Sequence, residues 1–171
     1  MEVAVREDRL ITVGGEIERI FERCHGLVFR TAYRITGNAA DAEDVLQAVF
    51  LRLLRRDRHA EPLDNEESYL RRAAINASLD IVRARQQPAL PFDDSPPGRE
   101  DPGELRENLR RALSTLNRRE AEIFALRFFE GYTNPEIARM LRMSQVHVAV
   151  LLHRTRKQLQ KELRSYAGVR S

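Results

Sequence analysis

Residues 133–156 combine two helix-capping signals with apolar residues at helical spacing. Thr133 and Glu136 have the spacing of a capping box, and Ser144 is a suitable N-cap for a following helix. The pattern predicts a short helix, a tight turn and a longer helix, which together form a helix-turn-helix. The chemistry of such a unit is contact with base edges, because its second helix can enter the major groove of DNA.

The predicted helix-turn-helix needs a small residue where its helices cross and an apolar core between them. Ala138 is the small residue, and the core candidates are Ile137, Leu141, Val148, Leu151 and Leu152. An ordinary helical hairpin would need similar packing. The distribution of charge helps to choose between such a hairpin and a DNA-binding helix-turn-helix. Residues 104–171 hold 14 Lys and Arg against seven Glu, a net +7, whereas the whole chain is +3. This concentration of positive charge favours a polyanion partner.

Other kinds of chemistry have little support in the sequence. The single cysteine, Cys24, lies in an apolar stripe and favours a packing role. The four histidines are scattered and no CxxC pair occurs, so neither a metal site nor another cofactor is expected. The sequence contains no Walker loop, GxSxG or HExxH motif, so no motif in it indicates an enzyme or a small-molecule substrate. The longest apolar run, residues 148–152, is too short for a membrane span or a signal peptide, so we expect a cytoplasmic protein.

Helical periodicity predicts an all-α fold. Gly37 is a suitable stop for the first helix and Asn38 a suitable cap for the second. Helices are expected over residues 15–35, 39–55, 67–85, 104–115, from Asn117 to about Glu130, 133–141, and from Ser144 to about Tyr166. The first is expected to bury Ile17, Ile20, Phe21, Cys24, Leu27, Val28, Thr31 and Ile35, and the fourth Leu105, Leu109, Ala112 and Leu113.

A proline-rich acidic segment divides the helices into two groups. Residues 86–103 contain five of the seven prolines, and residues 87–103 have a net charge of −3. Such a composition predicts an extended linker that cannot hold a helix. The expected organisation is a helical domain over 15–86, a linker over 87–103 and a helix-turn-helix domain over 104–167. Each domain is small, so each is expected to be only marginally stable alone.

Three sequence blocks carry a family resemblance. Residues 31–55 read TAYRITGNAADAEDVLQAVFLRLLR, residues 68–83 read SYLRRAAINASLDIVR, and residues 116–159 run from LNRREAEIF to HRTRKQL. In this order the blocks resemble regions 2.1–2.2, 2.3–2.4 and 4 of the extracytoplasmic-function (ECF, group 4) sigma factors of bacterial RNA polymerase, which belong to the sigma-70 family. The resemblance covers residues 17–165 and implies a region 2-like helical bundle followed by a region 4-like helix-turn-helix domain.

The resemblance implies a promoter-specificity subunit rather than an enzyme. Its implied partners are the β′ and β subunits of the polymerase core, promoter DNA, and an anti-sigma factor or other regulator. The implied surface for the β′ coiled coil consists of Asp41, Glu43, Asp44 and Gln47. The acidic members of this set also suit a helix N-terminus, because the helix dipole favours negative charge there.

The first domain is implied to recognise and melt the −10 element. The implied DNA-contacting residues are Tyr69, Arg72, Asn76 and Arg83, and the loop over residues 57–66 corresponds to the base-capturing loop. Stacking faces and basic side chains suit unstacked bases and phosphates. Two alternatives stay open here: Asn76 could only hydrogen-bond locally, and Tyr69 could be a core residue.

The second domain is implied to recognise the −35 element, although its reading helix departs from the family pattern. Arg142 stands in place of the usual turn glycine, Ala149 in place of a lysine and Leu151 in place of an arginine. The expected groove-facing residues are Gln145, His147, Ala149, Val150, His153 and Arg154. This face is less polar than usual, so it could also bind a protein.

Two other functions stay open on the sequence alone. A plain helix-turn-helix regulator would bind a palindromic site without polymerase, and its first domain would dimerise or sense a signal. A sigma-like interaction module would bind polymerase or an anti-sigma factor without selecting promoters. A monomer is expected for the free chain.

Overall fold

The computed structural model describes residues 2–56, 63, 65–86 and 102–168. Within these ranges every regular element is an α-helix, which confirms the predicted all-α class. The helices are α1 (Glu2–Thr36), α2 (Ala39–Leu54), α3 (Glu66–Gln86), α4 (Pro102–Ser114), α5 (Arg118–Phe128), α6 (Asn134–Leu141) and α7 (Gln145–Gly168). Of the predicted linker only Pro102 and Gly103 are described, and they begin α4. Proline is tolerated there because the first turn of a helix needs no amide donor.

Helices α1, α2 and α3 pack around one apolar cluster. Gly37 ends α1 with φ +67°, a left-handed backbone that favours glycine, and Asn38 caps α2 by accepting a hydrogen bond from the Asp41 amide at 3.2 Å. The cluster's buried members are Ile20, Cys24, Val28, Ala32, Ala42, Val45, Val49, Phe50, Leu53, Leu70 and Ala74. Phe21, which was predicted to be buried, is instead exposed, and its ring lies edge-on to the ring of Phe50.

Helices α4 to α7 form the second group, and α5 is its centre. All residues from Glu120 to Leu126 are buried, so α5 is covered around its whole circumference. The predicted inward position of Leu105 on α4 is wrong, because this side chain is 60% exposed. Burial increases along α4 to Leu109 and then Leu113, which shows that the helix begins outside the packed region.

The core of the second group extends into the first. Ile35 of α1 and Ile75, Leu79 and Val82 of α3 belong to the same buried cluster as the apolar residues of α4 to α7. One face of α3 therefore packs against α1 and α2, and another packs against α4 and α5. The two helical groups share an apolar interface.

The turn between α6 and α7 holds a non-glycine residue in a left-handed conformation. Arg142 has φ 52° and ψ 52°. Its backbone N–H donates hydrogen bonds to the carbonyl oxygens of Ala138 and Arg139 at the end of α6. A side chain with a Cβ is strained in this region, by roughly 1–2 kcal/mol, whereas glycine is not.

We expect Arg142→Gly to raise the free energy of unfolding by about 0.5–1 kcal/mol, because relief of this strain exceeds the extra chain entropy of glycine. Urea denaturation measures the change. Arg142→Ala is the matched control, since it removes the same side chain but keeps the Cβ. A glycine variant no more stable than the alanine variant would contradict the prediction.

Candidate nucleic-acid interface

The N-terminus of α7 is fixed by a side-chain cap and an apolar underside. Ser144 accepts a hydrogen bond from the His147 amide at 3.1 Å. Val148, Leu151 and Leu152 are buried in the cluster that also contains Ile137 of α6. These contacts hold the two helices as a helix-turn-helix, with the outer face of α7 exposed.

All six predicted −35 residues lie on exposed positions of α7. They are Gln145, His147, Ala149, Val150, His153 and Arg154. Val146, which the sequence analysis did not select, is 74% exposed beside them. The exposed face therefore combines hydrogen-bonding side chains with three apolar ones, a mixture that can contact both base edges and thymine methyl groups.

The start of α6 is closed by the predicted capping box. Glu136 Oε2 accepts hydrogen bonds from the Thr133 amide at 2.8 Å and from the Thr133 hydroxyl at 2.6 Å. The hydroxyl and the amide of Thr133 lower the pKa of the Glu136 carboxyl below its ordinary value. The carboxylate form therefore stabilises the fold above the ordinary carboxyl pKa, and this contribution is lost as the pH falls through the lowered value.

We expect Thr133→Ala to move the pKa of Glu136 back towards its ordinary value, because the hydroxyl donor is removed while the amide donor remains. An NMR pH titration of the Glu136 carboxyl carbon measures the shift. Thr115→Ala removes a threonine hydroxyl elsewhere and should leave that titration unchanged. Equal pKa values in the wild type and Thr133→Ala would contradict the prediction.

The predicted polymerase-binding residues on α2 fall into two groups. Asp41 is buried, and its carboxylate lies 2.5 Å from a guanidinium nitrogen of Arg85 on α3. Glu43, Asp44 and Gln47 are exposed. The ion pair of Asp41 with Arg85 thus joins α2 to α3. The other three residues are the accessible part of the predicted polymerase-binding surface.

The four predicted −10 residues share one side of α3. With 3.6 residues per turn, Tyr69, Arg72, Asn76 and Arg83 fall within an arc of about 60°. Tyr69 is half-buried against the first apolar cluster, with the Arg56 guanidinium 5.7 Å from its ring centroid. The Asn76 amide donates to the Arg72 carbonyl at 2.9 Å, which is the local hydrogen bond that the sequence left open.

The same side of α3 meets charged groups of the second helical group. Arg72 Nε donates to Glu122 Oε1 at 2.8 Å, and Asn76 Nδ2 donates to the same oxygen at 3.2 Å. Glu130 binds Arg34 at 3.0 Å and also Arg71. Arg83 donates to the Leu116 carbonyl at 3.3 Å. All four predicted −10 residues therefore have a hydrogen bond or a cation–π partner within the protein.

Glu122 and Glu130 were not identified from the sequence as residues that join the two helical groups. The available signal was weak: Glu122 lies within the apolar run of α5, where an ionisable residue that is buried needs a partner. Their partners on α1 and α3 lie 46 to 96 positions away in the chain, so spacing alone could not pair them.

A polar cavity of about 670 Å³ lies between α3 and α6. Tyr69 and Arg72 line one side, and Arg139, Met140 and Arg142 line the other. Within the described part of the chain, no group of three His, Cys, Asp or Glu residues could hold a metal ion. No described helix is long and apolar enough to cross a membrane.

Comparison with protein families identifies both helical groups. Residues 20–87 match the family Sigma-70 region 2, and residues 106–159 match Sigma-70, region 4. The chain is 30% identical over 156 residues to the RNA polymerase sigma-E factor of Streptomyces coelicolor, and the alignment covers 86% of each protein. It is 33% identical over 152 residues to the ECF RNA polymerase sigma factor SigE of Mycolicibacterium smegmatis, covering 82% of this chain and 59% of that relative.

Solved structures show the same fold. The sigma factor RpoE, in complex with the anti-sigma factor NepR from Bartonella quintana, aligns with a TM-score of 0.51 at 16% identity, covering 87% of this chain and 97% of RpoE. CnrH, in complex with the cytosolic domain of CnrY, aligns with a TM-score of 0.54 at 22% identity, covering 87% of this chain and 88% of CnrH. The order of the two matched regions and the helix-turn-helix geometry agree with these findings, and the chain belongs to the ECF sigma factors of the sigma-70 family.

Proposed function

We propose that this protein is a promoter-specificity subunit that directs bacterial RNA polymerase core to particular promoters and helps to melt them. The observation that carries the proposal is the presence of region 2 and region 4 in one chain, with an exposed reading face on α7. The protein acts in the cytoplasm by binding and has no catalytic step of its own, since the polymerase performs the chemistry.

Each predicted surface has a role in this proposal. The exposed face of α7 reads the −35 element in the major groove. The side of α3 that bears Tyr69, Arg72 and Asn76 binds the unstacked strand of the −10 element, with stacking from the tyrosine and hydrogen bonds from the other two. The exposed acidic residues of α2 bind the β′ subunit.

Run-off transcription with purified core enzyme tests the proposed function. Templates selected from a library of promoter fragments are transcribed with the core alone, with the core and this chain, and with this chain alone. We expect defined start sites only when both proteins are present. Tight binding to a palindromic site without polymerase would favour the simple regulator, and core binding without start-site selection would favour an interaction module.

The exposed acidic positions of α2 give a second test. We expect Glu43→Gln with Asp44→Asn to weaken binding to the polymerase core by roughly three- to tenfold, mostly through slower association. Fluorescence anisotropy with labelled chain and titrated core measures the dissociation constant. Glu16→Gln with Glu18→Gln removes the same charge from exposed positions of α1 and serves as the matched control. Equal weakening by both pairs would contradict a specific β′ surface.

The proposal includes a protein antagonist. The aligned solved structures of RpoE and CnrH each contain a bound partner chain, and RpoE's is an anti-sigma factor. In this chain, Val146 and Val150 form an exposed apolar pair on α7, which is a suitable contact for such a protein. Binding there would compete with −35 recognition.

A further inference from the structure

The turn between α6 and α7 keeps an arginine in a backbone conformation that glycine adopts more easily. Gly37 and Gly131 also have positive φ values, and among the described residues Arg142 is the one non-glycine position with such a backbone. Strain of this kind persists where the surrounding structure fixes it, and it is concentrated at functional sites. The Arg142 side chain is exposed, so the strained turn does not serve to place this side chain in the core.

An open groove of about 610 Å³ lies beside this turn, at the start of the reading helix. Arg139 and Arg142 line it together with Met143, Ser144 and Gln145. Gln145 is the first residue of α7 and the first of the predicted −35 residues. Both arginines therefore lie beside the end of α7 that would enter the major groove.

The first part of the reading helix carries little positive charge of its own. Residues 145–153 contain no Lys or Arg, and Arg154 is the first of either type in α7. Binding to duplex DNA nevertheless depends strongly on neutralisation of phosphates by Lys and Arg. Arg139 and Arg142 precede α7 by only a few residues and are both exposed. They are thus placed to supply the charge that residues 145–153 lack.

The end of α6 that meets the turn is cationic. Arg139 lies in the last turn of α6, and its Nε donates to the Pro135 carbonyl at 3.4 Å. A guanidinium has five N–H donors, and this hydrogen bond uses one of them. The carboxylate of Glu136 is held at the other end of α6, because its Oε2 accepts from the amide and the hydroxyl of Thr133. A negatively charged ligand group would therefore meet the arginines first.

We propose that Arg139 and Arg142 form a binding site for backbone phosphates beside the −35 element, and that the strained turn is retained because it places Arg142 there. The inference rests on the proposed function and adds the residues that hold α7 on the duplex. Phosphate contacts set the position and orientation of a reading helix, whereas base contacts set its sequence preference. The arginine pair contributes affinity for any duplex, and Arg154 contributes discrimination.

The salt dependence of DNA binding tests the site. Reconstituted holoenzyme is titrated, over a series of salt concentrations, with the selected promoter fragment and with one whose −35 element is scrambled. We expect Arg142→Ala to weaken binding to both fragments by the same factor, roughly three- to tenfold, and to reduce the slope of log affinity against log salt by about 0.9. Arg139→Ala should behave alike, and the double variant should lose about twice that slope. Arg106→Ala removes an exposed arginine near the start of α4 and should keep the wild-type slope.

Glycine and lysine at position 142 separate a phosphate contact from a structural role. Arg142→Gly relieves the backbone strain, so it should be more stable in urea and yet bind both fragments as weakly as Arg142→Ala. Arg142→Lys keeps the positive charge and should recover the wild-type slope and most of the affinity. If Arg142 only shapes the turn, the stabilised glycine variant would bind DNA like the wild type, and the inference would be overturned.

The outcomes separate this inference from the proposed function. If wild-type holoenzyme prefers the selected promoter but Arg142→Ala keeps the wild-type affinity and slope, only the phosphate site fails. A loss of affinity confined to the selected promoter would place Arg142 on base edges, and the inference would again be wrong. Equal binding of both fragments by the wild type would contradict the proposed function, while the slopes of the variants would still decide whether the two arginines neutralise phosphates.

Discussion

Leu126→Ala is expected to lower the free energy of unfolding by about 3 kcal/mol, because it removes a fully buried side chain and leaves a cavity in the centre of α5. For a chain of this size the melting temperature should fall by about 6–12 °C. Urea denaturation and thermal melting followed by circular dichroism measure both quantities. A loss of this size is a large part of the usual stability of a domain.

Leu105→Ala is the matched control for this prediction. It makes the same chemical change in α4, at a side chain that is 60% exposed, and should alter the free energy of unfolding by less than about 0.5 kcal/mol. Similar losses for the two variants would show that α5 is not the buried centre of the C-terminal group.

Arg154→Ala is expected to reduce discrimination between the selected promoter and one with a scrambled −35 element by about 1–3 kcal/mol, which is roughly 5- to 150-fold. The guanidinium lies on the exposed face of α7, where a bidentate contact with a guanine is available. Competition binding with reconstituted holoenzyme on the two promoters measures the ratio of their dissociation constants at fixed salt.

Arg164→Ala serves as the matched control for the reading face. Arg164 is also exposed on α7, but ten residues further along, which is about 15 Å of helix. Its removal should weaken binding to both promoters equally, if at all. An unchanged ratio for Arg154→Ala would favour the interaction module, in which α7 contacts protein rather than bases.

Local signals made much of the fold predictable. Asn38, Asn117 and Ser144 each cap the helix that the sequence assigned to them, because a cap depends only on atoms within a few residues. Helix periodicity placed Val28 and Val148 in the core for the same reason. Periodicity cannot show where a neighbouring helix ends, and this is why Leu105 and Phe21 were wrongly expected to be buried.

The candidate site was less predictable than the fold. The exposure of Arg154 and His153 follows from the same periodicity that buries Leu151 and Leu152. The pairing of Asn76 with Glu122 depends on how two separate groups of helices meet, which no short segment encodes. The family resemblance located Asn76 but carried no information about a carboxylate on α5.

The shared core gives the two groups complementary shapes. Ile75, Leu79 and Val82 are buried by residues from the C-terminal group. A fragment that stops at residue 86 would therefore expose a continuous apolar surface to water. Such fragments should self-associate when they are produced singly and should recombine when they are mixed. Chimaeras that exchange C-terminal groups between paralogues would need to preserve the surfaces that meet along α3, even where both parents recognise the same promoter.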